Sequence, residues 1–95
     1  MVMEFVLSEQ KAADLGYTIE ACYDVIDRLF AEYGIVPDGH GVYHGPDNQN
    51  TYTACTAALH RLPASSWFLH VVKSWSWDLG QGSEDCLESY YAVKG

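Results

Sequence analysis

Ninety-five residues carry 13 Asp or Glu against 5 Lys or Arg, a formal net charge of -8 with histidines neutral. At 48% apolar and 14% aromatic residues, the chain is too hydrophobic for a disordered acidic tail and long enough for one compact domain, 1–95. Such a charge balance argues against gripping nucleic acid directly, which needs clustered Lys and Arg, and favours a basic protein surface as partner.

The start, Met1-Val-Met-Glu-Phe-Val-Leu7, has neither a basic leader nor a long apolar stretch, so no secretory signal is expected and a cytoplasmic location is. No run approaches the ~20 apolar residues of a membrane span. Cys22, Cys55 and Cys86 form no Cys-x-x-Cys pair, and an odd number cannot all pair within one chain. Buried free thiols are expected.

Ser8 predicts the cap of a short helix that Gly16 can end. Thr18 opens a longer one, in which Ile19, Cys22, Tyr23, Ile26, Leu29, Phe30 and Tyr33 repeat at helical spacing up to Gly34. Its opposite side holds Glu20, Asp24, Asp27, Arg28 and Glu32, with Asp24 and Arg28 placed to pair one turn apart. Pro37-Asp38-Gly39 and Gly45-Pro46-Asp47-Asn48 read as turns. The short runs 41–44 and 50–53 around the second turn predict a β-hairpin.

Residues 54–62 suggest a small helix limited by Pro63, with one more turn near Trp67 and Phe68. Val71, Lys73, Trp75 and Trp77 then alternate with small or polar residues as one face of a strand. Ser83 is placed to cap a last helix with Leu87, Tyr90 and Tyr91 inward. The expected fold is a small α+β domain, with a long amphipathic N-terminal helix packed on a short antiparallel three-stranded sheet, short helices and a C-terminal helix.

The site candidates are few. His40, His44, His60 and His70 with Cys55 have a zinc ligand's chemistry but no zinc spacing, so no metal or other cofactor is expected. Cys55 with His60 is the one nucleophile candidate, but their i, i+5 offset turns them about 140° apart on a helix. No phosphate loop or nucleophile elbow occurs, and no enzyme is predicted. Most of the aromatics read as core, with Tyr43, Tyr52 and Trp77 retained as edge contacts.

The acidic row remains. About 6 Å separates Glu20 from Asp24 along a helix axis, near the rise of two duplex base pairs, and Asp27 and Glu32 continue the row. Such a ladder can imitate phosphates before a Lys/Arg groove.

Leu15-Gly-Tyr-Thr-Ile-Glu20, Asp24-Val-Ile-Asp-Arg-Leu-Phe30, Ser66-Trp-Phe68 and Val71-x-x-x-Trp75 together resemble a group of short, uncharacterised acidic proteins of phages and mobile elements of gut Gram-positive bacteria. The resemblance implies a context in which small acidic proteins, anti-CRISPR proteins among them, inhibit host defence by binding. The leading expectation is therefore a non-enzymatic inhibitor of a nucleic-acid-handling complex, with Glu20, Asp24, Asp27 and Glu32 facing basic residues. The alternative is a self-associating structural or regulatory accessory protein, a homodimer joined through its exposed aromatics.

Overall fold

The computed structural model describes residues 1–80 and 82–94 as an α+β domain. Strand β1 (Val2–Leu7) comes first, followed by helices α1 (Glu9–Asp14) and α2 (Ile19–Ala31). Strand β2 (Val42–His44), helix α3 (Gln49–Ala64), the single turn α4 (Phe68–Val71), strands β3 (Val72–Asp78) and β4 (Ser83–Asp85), and helix α5 (Cys86–Lys94) complete it. The four strands form an antiparallel sheet in the order β2-β1-β3-β4.

This corrects the expected three-stranded sheet and N-terminal helix. The chain begins with a strand, and that strand lies inside the sheet. Met3, Phe5 and Leu7 point into the core, but their alternation is blurred in sequence because Val2 and Val6 on the other face are also apolar. Pairing with a β3 some 70 residues later makes this stretch a strand, and a purely local reading has no access to such a partner.

The predicted hairpin is also corrected. Residues 42–44 do form a strand, but they pair with β1, while 50–53 belong to α3. The Asn48 side chain caps that helix by accepting the Thr51 N–H at 3.0 Å. Thr51, Ala54, Cys55, Ala58 and Leu62 form its buried stripe, and a threonine in the first apolar position hid the period. The helix runs through Pro63 to Ala64.

In β3 the pairing steps from Leu7↔Val72 to Val6↔Ser74, leaving Lys73 as an extra residue. The bulge turns Lys73 out to solvent, whereas strict alternation put it with Trp75 and Trp77. Val71 lies in α4. At the C-terminal end, Ser83 belongs to β4, and the Asp85 carboxylate accepts the Glu88 N–H at 3.1 Å as the cap of α5. Tyr91, expected inward, is exposed.

The helix expected over 18–34 stands as α2, with Thr18 accepting the Ala21 N–H at 3.1 Å and Gly34 at φ +75° past its end. Cys22, Ile26, Leu29 and Phe30 are buried. One face of the sheet receives the helices, and Phe5 is the centre of that core. Its ring lies 5.5 Å from Trp75, 5.8 Å from Tyr43, 5.9 Å from Phe68 and 6.3 Å from Phe30. The other face carries Glu4, Val6, Ser74, Ser83 and Asp85, all exposed. Among the described residues no helix is long and apolar enough to cross a membrane.

Gly41 sets the approach of the β2 loop to β1. Its carbonyl accepts the Phe5 N–H at 2.7 Å, and it adopts φ +75°. A Cβ there would stand 2.4 Å from the Phe5 carbonyl oxygen and 2.8 Å from the Tyr23 ring. Gly41→Ala should lower unfolding free energy by about 2–4 kcal/mol in urea denaturation, combining strained backbone with a clash against main chain.

Candidate functional site

Helix α2 carries the candidate binding row, and two polar contacts hold its inner side. The Leu7 N–H donates to the Tyr23 hydroxyl at 3.1 Å. One turn on, the Tyr43 hydroxyl donates to the Asp27 carboxylate. The first joins α2 to β1 and the second joins it to β2, while Phe30 stacks on Tyr43 at 4.1 Å between ring centres. Burial first, and then the bond to Asp27, hold the Tyr43 phenol well above its ordinary range.

These contacts divide the acidic row by role. Glu20 and Asp24 are exposed on α2, with Asp24 paired to Arg28 at 2.9 Å as the spacing predicted. Asp27 is half-buried and anchors Tyr43. Glu32, just past the helix, receives both Arg61 guanidinium nitrogens, at 3.0 and 3.2 Å. That bidentate hydrogen bond, ahead of the charge itself, lowers the Glu32 carboxyl below its usual range. Among the described residues Glu20 has no cation within salt-bridge distance.

Beside the row lies an apolar groove of about 300 Å³ lined by Tyr17, Ala21, Cys22, Val25 and Trp67. It meets, at Val25 and Trp67, a second hollow of about 300 Å³ lined by Arg28, Glu32, Arg61 and Ser65 among others. Both arginines of the chain, with Glu32 between them in the lining, therefore stand at one end of a surface whose other end is apolar. Periodicity along α2 located the row, but the groove needs Trp67 and Arg61 from distant segments, and no local signal marks it.

Of the three aromatic contact candidates, Tyr43 is 2% and Trp77 6% exposed, both in the core, whereas Tyr52 is 47% exposed. The Tyr52 ring packs at 5.7 Å on Trp77. His44 approaches Asp38 at 3.4 Å, and His40 lies against Tyr23 at 4.9 Å. Among the described residues no three His, Cys, Asp or Glu side chains are grouped to hold a metal ion.

All three cysteines are free and buried. Burial pushes the Cys55 thiol up to about 11, the opposite of what a nucleophile needs, and burial reinforced by Glu84 and Asp85 pushes Cys86 up to about 12. No protein-family model and no curated protein matches the chain.

Tyr43→Phe should cost about 1–2 kcal/mol in urea denaturation, because Asp27 loses its donor while the ring packing stays. Cys55, Cys86 and Tyr43 all hold their protons more tightly folded than unfolded. Their contribution to stability is therefore complete below the unfolded thiol value of about 9 and falls as pH rises through 11 and 12. Thermal melts across that alkaline range should show a progressive drop, smaller in a Cys55→Ala/Cys86→Ala variant.

Proposed function

We propose that the chain is a non-enzymatic, acidic protein-binding inhibitor of a nucleic-acid-handling, host-defence (anti-CRISPR-like) complex, acting by occupying a basic groove. The observation that carries the reading is the placement of Glu20 and Asp24, exposed one turn apart on a helix that Tyr23 and Asp27 brace from behind. Carboxylates about 6 Å apart on a braced helix offer a Lys/Arg groove charge at roughly the rise of two duplex base pairs, without the ordering cost of a flexible acidic tail.

Asp24 and Glu32 already hold Arg28 and Arg61, but these pairs lie in solvent, where ion pairs are weak and screened. A groove of several cations replaces them readily. Asp27 serves the surface by positioning α2. Every acidic residue other than Asp27 and Asp78 is exposed, so the negative potential that steers a basic target extends well beyond the row.

The test uses tagged protein in nuclease-treated bacterial lysate, with bound proteins identified at low and at high salt. A nucleic-acid-binding effector should be retained at low salt, released at high salt, and displaced by added duplex DNA. Glu20→Lys/Asp24→Lys should weaken its capture at least about tenfold with an unchanged thermal melt. Capture that withstands both the substitutions and the DNA overturns the groove mechanism.

A further inference from the structure

Asp38 is the one Asp or Asn of the chain that a glycine follows. In that order of residues the side-chain carboxyl carbon lies within reach of the next main-chain nitrogen, and no side chain on the next residue crowds the approach. A helix protects such a bond by tying up the next N–H, as α2 does after Asp24 and Asp27. Asp38 stands instead in the loop between α2 and β2. Its side chain is 76% exposed, and the His44 Nε2 lies 3.4 Å from its Oδ2. The Asp38 N–H donates to the Val42 carbonyl at 2.7 Å, but among the described residues the Gly39 N–H has no hydrogen-bond partner. Gly39 adopts φ +87°, and a Cβ built on it would meet nothing within 4 Å, so a ring formed there displaces no neighbour.

We propose that Asp38–Gly39 is a site of spontaneous isoaspartate formation, with His44 as the proton donor. The Gly39 nitrogen attacks the Asp38 Cγ; the N–Cγ bond forms and the Cγ–Oδ2 bond breaks. The oxygen leaves as water, taking one proton from the Gly39 N–H and one from the His44 imidazolium, which is left neutral. Water then adds to the resulting five-membered imide. Opening at Cγ restores aspartate, whereas opening at the main-chain carbonyl carbon gives isoaspartate. Either way the new carboxyl group releases a proton that His44 can take back, so the sum is an isomerisation with water as its sole co-reactant. A carboxylate is ionised at neutral pH and is by itself a poor electrophile. An imidazolium alongside supplies the proton that the departing oxygen needs, and its position makes that transfer local.

The product has the mass of the original chain, but its main chain runs through the Asp38 Cβ and is lengthened by a methylene. The addition falls inside the turn that the Asp38 N–H closes on Val42. That turn brings the Gly41 carbonyl to the Phe5 N–H and leads into β2, whose Tyr43 holds Asp27. Isomerisation at an exposed loop thus reaches the contacts that tie β2 to β1 and to α2, and the isoaspartyl form is less stable than the original.

The experiment incubates the full chain for several weeks at physiological temperature and neutral pH. Isoaspartate is measured by methyl transfer from S-adenosylmethionine with an isoaspartyl methyltransferase, and is placed by electron-transfer fragmentation of the peptides. The wild type should accumulate it, with the larger part at Asp38. His44→Gln should keep the wild-type melt, because the side chain is exposed, and should slow accumulation at least about threefold. In urea, which separates His44 from Asp38, the same substitution should leave the rate unchanged. The isoaspartyl form, separated by ion exchange, should melt about 4 °C or more below the original. A wild type without isoaspartate at Asp38 overturns the proposal. A rate indifferent to His44→Gln in the folded chain, or slowed equally in urea, overturns His44 as the donor, and an isoaspartyl form with the original melt overturns the structural consequence.

Discussion

The packing of Phe5 is the contact on which the rest of the structure depends. It sits on a central strand, and its ring meets aromatic side chains from α2, β2, α4 and β3. Four segments that span residues 30 to 75 thus share one buried ring. In a chain this small the apolar area per residue is limited, and large rings in edge-to-face and stacked contact make the most of it. The same arrangement explains the glycine at 41: the loop before β2 must come within hydrogen-bonding distance of the Phe5 main chain, and a side chain there would occupy the space of the Phe5 carbonyl.

Helix α2 shows how a charged residue can belong to the fold although its spacing puts it on a surface row. Beyond β2, the outer edge of β1 would present an unmet N–H at Leu7, and the Tyr23 hydroxyl accepts it. Asp27, one turn later, takes the Tyr43 hydroxyl. A buried phenol with no acceptor would be costly, so the carboxylate is retained near the core for its hydrogen bond. The two contacts tie α2 to both β1 and β2 and so set which of its sides faces outward. Electrostatic recognition depends on that placement, because charges on a fixed helix meet a partner without first being ordered.

The proposed function rests on one surface of this scaffold. Glu20, Asp24 and Arg28 are all solvent-exposed and within three turns of one another, bordered by the groove at Val25 and Trp67. In the proposed function, a basic groove would call on these carboxylates through the target's cations.

By itself the sequence determined what short-range physics controls. The amphipathic period and the Thr18 cap placed α2, the i, i+4 spacing paired Asp24 with Arg28, and hydropathy placed Cys22, Trp75 and Phe30 inside. The acidic row was legible for the same reason, since helical spacing alone sets its geometry. Tertiary structure decided what needs a distant partner. Residues 2–7 are a strand because β3 pairs with them, and 50–53 are helical because Asn48 and the stripe from Thr51 outweigh a local β preference. Lys73 faces solvent because the register with β1 slips by one residue. Asp27 differs from Asp24 because Tyr43 reaches it from another segment, and the groove exists because Trp67 and Arg61 arrive beside α2. Periodicity reports which side of an element is buried, but pairing, register and the meeting of side chains from remote segments are decided by the packing of the whole chain.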